Sequence, residues 1–214
     1  LETEVDVKWV YSGDITSDTV AESLKDMDGL LIAPGFGDRG IEGKIIAAQF
    51  ARENQIPTLG ICLGMQIMTI EFARNVLGLT KANSMEFDGT TPDPVISIME
   101  EQKNIVDKGG TMRLGAWKCS IKPNTILSKV YGTKNITERH RHRYEFNSDY
   151  IKDFESNGII ASGLNPETGL VETIESTNHP FYVGVQYHPE YKSTVATPHP
   201  VFKALIHAAN KNKK

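Results

Sequence analysis

Two short runs constrain this chain most: the wholly apolar GLLIA at 29–33 and the largely apolar PTLGI at 57–61, each followed by a helical pattern. A run of five residues is too short for a stable buried helix but suits a strand covered on both faces, the usual situation inside a parallel sheet. Residues 41–54 place Ile41, Ile45, Ala48 and Ala51 on one side of a helix, and residues 63–76 continue as another. Upstream, VDVKWVY at 5–11 alternates as a strand should, and 18–27 carries Val20, Leu24 and Met27 at helical spacing. Strand and helix in strict alternation predict βαβ units, since parallel neighbours need a crossover.

The second half changes rhythm. Residues 158–162, 170–176 and 181–187 read as strands separated by turn sequences such as NPETG at 165–169, too short for crossover helices. This predicts an antiparallel or mixed flank. Residues 200–210 (PVFKALIHAAN) close the pattern as an amphipathic helix with Pro200 in its favoured first turn. The expected architecture is a single three-layer α/β domain over 1–214, a mostly parallel twisted sheet flanked by helices with an antiparallel or mixed flank, flavodoxin-like in outline. The chain opens at Leu1, runs at once into strand-like sequence, and reads as part of a longer protein.

The bulk numbers narrow the function classes. A formal net charge of −4 gives no electrostatic footprint for nucleic acid or an anionic membrane. No apolar run approaches the length of a membrane span, and no signal-like segment opens the chain. Cys62 and Cys119 are the two cysteines of 214 residues, which is no disulfide framework, so a reducing cytoplasm is the expected compartment.

Chemistry concentrates at LGICLGMQ, residues 59–66. Cys62 stands between a buried strand and a helix, with glycine two positions to either side, the form of a nucleophile elbow. The tight turn crowds those two positions, which is why they are glycine. It also puts the sulfur at a helix N-terminus, where unpaired amides favour the thiolate and the Leu63 amide can face an oxyanion. A lone cysteine is more often a small buried hydrophobe, and Cys119, which follows Trp117 and Lys118 in an alternating strand, keeps that reading. Cys62 does not, because a base is available. FYVGVQYHPE at 181–190 is a strand ending in His188-Pro189-Glu190. His188 can hold the thiolate and protonate a leaving amine, and Pro189 stiffens the turn so that Glu190 folds back on the imidazole. His140, His142, His179, His199 and His207 lack such a setting and read as structural or exposed. None has metal-ligand spacing with the cysteines, so no metal is expected.

These residues resemble the class I glutamine amidotransferases, whose catalytic Cys, His and Glu fall on Cys62, His188 and Glu190. Further segments are similar to the CTP synthase branch of that family over nearly the whole chain: 35–44 (GFGDRGIEGK), 83–87 (NSMEF), 109–115 (GGTMRLG), 138–147 (ERHRHRYEFN) and 188–193 (HPEYKS). The resemblance implies glutamine hydrolysis through a cysteinyl thioester, with ammonia passed to an ATP- and Mg²⁺-dependent amination of UTP to CTP. It implies that L-glutamine is bound by Gly35, Leu63, Gly64, Met65 and Gln66, with Glu86 on the amino group and Arg143 at the α-carboxylate end. It further implies GTP activation through Phe36 and Arg39 with residues 100–111 as a lid, a synthetase domain in the same polypeptide, and a homotetrameric parent enzyme. No cofactor is expected in this domain, and no G-x-x-x-x-G-K-[ST] loop occurs in the sequence. By composition alone RHRHR would be a solvated basic stretch and Glu86 an exposed acid.

Two departures stand out. The family usually has Pro-Gly-Gly-Phe-Gly in its oxyanion loop, and here Pro34 takes the place of the first glycine, removing an N–H and fixing φ. The family domain also begins with a strand and helix ahead of the 5–11 segment, which would leave the sheet an exposed edge here. Another class I amidotransferase, a γ-glutamyl hydrolase, or a catalytically silent assembly module are the alternative readings.

Overall fold

The computed structural model describes residues 3–98 and 112–213. Its main sheet has seven strands. In chain order these are β1 (Leu30–Ile32), β2 (Thr58–Ile61), β5 (Arg113–Ile121), β6 (Asn135–His142), β8 (Ile159–Leu164), β9 (Val171–Ser176) and β10 (Tyr182–Val185), and they lie side by side as β1-β2-β10-β9-β8-β5-β6. The first three run parallel, and every later pairing is antiparallel. β2 and β10, buried along their whole length, are the parallel heart, whereas the run at 29–33 supplies the edge strand β1, whose Leu31 is 43% exposed because no further strand or helix covers that side among the described residues. A second sheet joins β3 (Asn83–Ser84), β4 (Pro94–Ile98) and β7 (Tyr144–Phe146) in the order β3-β4-β7.

Helices cover both faces. Short α1 (Val20–Ser23) packs beside α2 (Ile41–Glu53), which lies over α3 (Leu63–Asn75). α4 (Ile126–Tyr131) and α6 (Pro200–Asn212) pair on the opposite face, and α5 (Ile151–Ser156) lies against β8. Alternation along the strands feeds two cores: Tyr182 joins Met65, Met68 and Phe154, whereas Leu59, Ile61, Val183 and Val185 meet Leu127, Val201 and Leu205. α3 is enclosed between the sheet and α2, so even its polar Gln66, Thr69 and Glu71 are buried. Glu71 is compensated by Arg52 at 2.8 Å, as a buried carboxylate must be.

Two expectations fail near the N-terminus. Residues 5–11 form no strand: Val5, Val7, Trp9 and Tyr11 are exposed, Trp9 by 89%. Alternation gives a segment a strand's propensity, but a strand exists only when a neighbouring backbone pairs with it, and none does among the described residues. The segment is fastened instead by single contacts, Lys8 Nζ to the Ser23 carbonyl at 3.2 Å and Asn210 Nδ2 to Thr3 Oγ1 at 3.0 Å. The helix expected over 18–27 is reduced to Val20–Ser23, ending in turns where Asp26 adopts φ 61°.

Candidate active site

Cys62 sits on the one-residue step between β2 and α3, at φ 52° and ψ −105°. A side-chain-bearing residue seldom adopts such a conformation, and here the neighbours enforce it. Its N–H donates to the Val185 carbonyl at 2.7 Å, tying the turn to β10. A Cβ on Gly60 would lie 2.7 Å from the Gly64 backbone, and one on Gly64 would lie 2.1 Å from the Ile32 carbonyl oxygen. The two glycines are therefore sterically required.

Burial changes the expected state of the sulfur. Cys62 is 2% exposed. Desolvation pushes its thiol up to about 12; the Leu63 amide acts the other way, and the Glu145, Glu190 and Glu86 carboxylates raise it further. The thiolate-favouring helix N-terminus read from the sequence is present, but burial outweighs it. A reactive thiolate here needs a cation beside it.

The base stands on the next element. After β10 the chain enters a single 3₁₀ turn, Pro189–Lys192, that carries Glu190. The His188 N–H donates to the Arg139 carbonyl of β6 at 2.8 Å, and its ring stacks on Tyr191 at 4.9 Å. Nδ1 of His188 lies 2.6 Å from Glu190 Oε1. That contact makes Nδ1 the protonated nitrogen and leaves Nε2 to exchange a proton. Nε2 is buried, with no hydrogen-bond partner among the described residues.

A narrow pocket opens beside the sulfur, lined by Gly35, Phe36, Cys62, Gln66, Glu86, Met112, His142, Arg143 and Tyr144. Six sequence-derived candidates thus converge: Gly35, Phe36, Cys62, Gln66, Glu86 and Arg143. Leu63, Gly64 and Met65 do not line the pocket, because the first turn of α3 points Leu63 and Met65 into the core and Gly64 against Ile32. Only their backbone can serve a ligand. Gly35 does abut Leu63, a Cβ there falling 3.3 Å from Leu63 Cδ2. Arg39 is exposed and lies outside the lining; Phe36 is 56% exposed with the Arg141 guanidinium 5.9 Å from its ring centre. The proposed lid over 100–111 lies outside the described residues.

Several participants were not singled out beforehand. Gln186 Nε2 donates to Cys62 Sγ at 3.7 Å and its Oε1 accepts from Gln66 Nε2 at 3.2 Å, so a buried amide chain reaches the nucleophile. Gln66 also donates to the Tyr144 carbonyl at 2.9 Å. Lys44, half-buried with its pKa lowered by burial, donates to the Ala33 carbonyl at 3.3 Å and braces the loop holding Gly35. Glu86 accepts from the Gly37 N–H at 3.2 Å. Gln186, Lys44, Met112 and Tyr144 all fall within the motif segments, which was the available signal.

A family model described as glutamine amidotransferase class-I matches residues 1–208. The chain belongs to the class I glutamine amidotransferases. Within that family it is most informatively compared with CTP synthases. It is 60% identical to CTP synthase of Flavobacterium johnsoniae over 214 residues, covering 100% of this chain and 40% of that relative, and 60% identical to that of Flavobacterium psychrophilum over 212 residues, covering 99% and 40%. The glutaminase domain of Trypanosoma brucei CTPS with bound acivicin superposes with a TM-score of 0.92 at 37% identity, covering 98% of this chain and 82% of that one. The chain spans about 40% of the length of the curated relatives it matches.

Proposed function

We propose that this chain hydrolyses L-glutamine to glutamate and ammonia through a γ-glutamyl thioester on Cys62. The observation that carries the reading is Cys62 on a strained elbow beside a pocket, with a His188–Glu190 pair whose Nε2 is left open. Glutamine enters with its amino group on Glu86 and its carboxylate end toward Arg143. His188 takes the thiol proton as Cys62 Sγ attacks the side-chain amide carbon. The resulting imidazolium stabilises a sulfur that burial and three carboxylates otherwise disfavour as an anion. The oxyanion accepts hydrogen bonds from the amides of Gly35 and Leu63. Collapse breaks the C–N bond, and His188 gives its proton to the departing ammonia. Water, deprotonated by His188, then cleaves the thioester to release glutamate and restore the thiol.

The ammonia serves an ATP- and Mg²⁺-dependent amination of UTP to CTP in a synthetase domain of the same, homotetrameric polypeptide, where the Flavobacterium relatives carry their remaining length. ATP and Mg²⁺ act there, and this domain works without a cofactor. GTP activates from the Phe36–Arg39 side, where an aromatic face and exposed guanidinium groups suit a purine triphosphate. The test is Cys62→Ala in the whole parent polypeptide: glutamine-dependent CTP formation should vanish while formation from free ammonia persists. Loss of both in a folded variant would refute the division of labour.

A further inference from the structure

Beneath the pocket lies a buried charged cluster that the mechanism above does not use. Arg113 on β5 is 2% exposed. Its Nη1 donates to both oxygens of Glu145 at 3.0 and 3.2 Å, and its Nη2 donates to Glu172 Oε1 at 2.6 Å. From β6, His140 and His142 complete the cluster and connect it to the surface of the pocket, which His142 lines.

Hydrogen-bond direction fixes where the protons lie. The Tyr144 carbonyl can only accept, and it lies 3.2 Å from His142 Nδ1, with Glu145 Oε1 at 3.4 Å. His142 Nδ1 therefore carries hydrogen, and in the neutral ring Nε2 accepts. His140 Nδ1, 2.8 Å from that Nε2, must be the donor. A neutral His140 then presents a lone pair at Nε2. Facing it at 3.3 Å is Glu172 Oε2, another acceptor if the carboxyl is ionised. Both atoms are buried, and neither has another hydrogen-bond partner among the described residues. Two lone pairs cannot be left facing each other in a dry interior, so a proton belongs between them.

We propose that Glu172 and His140 share one buried proton, which keeps the floor of the glutamine pocket electrically neutral and makes Glu172 a positioning residue that sets an alkaline limit on the reaction. With that proton in place the cluster sums to zero, Arg113 balancing Glu145. Without it the cluster carries a net negative charge: Glu172 draws on the Arg113 that balances Glu145, the carboxylate that raises the Cys62 thiol, and the charge pulls at His142 in the pocket lining. The groups facing Glu172 and His140 are Arg113 and Cys119 of β5, His142, Glu145, the Asn165 amide, Tyr187 and His188. Among the described residues the fixed cation bonded to the carboxyl is Arg113, already engaged by Glu145. Burial raises Glu172 and raises Glu145 to about 8, and it holds His140 and His142 down to about 2 and about 3, so the extra proton rests on the carboxyl side. Glu172 rather than Glu145 keeps it, because both Glu145 oxygens already accept from Arg113.

The proposal rests on the glutaminase reading for its kinetic half only. Glu172→Gln copies the protonated carboxyl: its oxygen accepts from Arg113 and its amide N–H donates to His140 Nε2. In the full-length protein it should fold, hydrolyse glutamine within about threefold of wild type at neutral pH, and move the alkaline fall in rate upward by about one pH unit or more. Glu145→Gln, which aims an N–H at Arg113, should lower the melting temperature clearly. Independently of any activity, the infrared difference spectrum of wild type minus Glu172→Gln near neutral pH should contain a deuterium-sensitive carbonyl band of a protonated carboxyl. Absence of that band overturns the proton assignment. A band together with an unmoved pH profile overturns the kinetic role, and equal damage from both Gln variants reduces the cluster to ordinary packing.

Discussion

Replacing Gly64 by Ala is the sharpest test of how the elbow works. The added methyl would lie 2.1 Å from the Ile32 carbonyl oxygen and 3.0 Å from its carbon, both backbone atoms of β1. Ordinary contact begins near 3.4 Å, so α3 and β1 must separate by about 1.3 Å along that line. Neither can yield locally, since β1 is paired to β2 and α3 is enclosed. Overpacking of this kind costs about 1–3 kcal/mol of stability. The larger effect should be kinetic: Leu63 and Cys62 move with the first turn of α3, and a misplacement of roughly 1 Å in a reacting group can cost on the order of a hundredfold in rate. Thermal melting and glutaminase turnover of the full-length variant give both numbers. Gly169→Ala is the control, because Gly169 has φ 74° with nothing within 4 Å of an added Cβ. It should lose about 1 kcal/mol to backbone strain and keep full activity. Wild-type turnover in a normally stable Gly64→Ala protein would refute the claim that close approach of α3 to β1 sets the site.

Three further outcomes are expected. A chloroketone or diazo-ketone shaped like glutamine should label Cys62 and spare Cys119, as read by peptide mass mapping, because both thiols are raised by burial and of the two Cys62 is the one that lines the pocket; equal labelling would sink the assignment. Glu190→Gln should lower glutamine turnover about ten- to a hundredfold while His188→Ala approaches background, since Glu190 only orients the ring and is 37% exposed to water; a Glu190→Gln enzyme equal to wild type would reduce the triad to a dyad. His140 and His142 fold with depressed pKa values, so the unfolded chain binds more protons below about pH 6.5 and their contribution to stability is lost as pH falls; a melting temperature constant between about pH 7 and about pH 5 would contradict it.

Legibility from the sequence followed the kind of physics each element depends on. The parallel heart was readable because β2 and β10 are buried on both faces, and continuous apolarity has few other uses. The elbow was readable because its glycines answer a local steric demand. The antiparallel sheet was harder: the last five residues of β6 are all charged or histidine, and nothing in RHRHR states which face is wet. The structure turns Arg139 and Arg141 outward and Glu138, His140 and His142 inward. These inward groups are tolerable because partners arrive from elsewhere in the chain, Lys192 and His199 at Glu138, Glu172 at His140 and Glu145 at His142, and such long-range compensation leaves no local pattern. Residues 5–11 failed for the complementary reason, having the pattern without the partner.

The burial of Cys62 and the composition of its surroundings argue for one further point about how such a site must operate. An isolated thiolate is disfavoured there by desolvation and by Glu145, Glu190 and Glu86 together. The Leu63 amide alone does not reverse this. Under the proposed mechanism, nucleophilicity arises with a proton moved onto His188, whose imidazolium Glu190 holds at 2.6 Å, and with Glu86 matched by the ammonium group of the bound amino acid. Each carboxylate near the sulfur then acquires a cation when substrate binds and reacts: Glu190 from His188, Glu86 from the substrate, and Glu145 from Arg113. Glu172 has no cation of its own among the described residues, since it shares Arg113 with Glu145. That is the position at which the hydrogen-bond directions require a proton. A thiol kept protonated by its pocket until substrate completes the charge pairing is protected from neutral electrophiles, and its reactivity toward them should track His188 rather than pH alone.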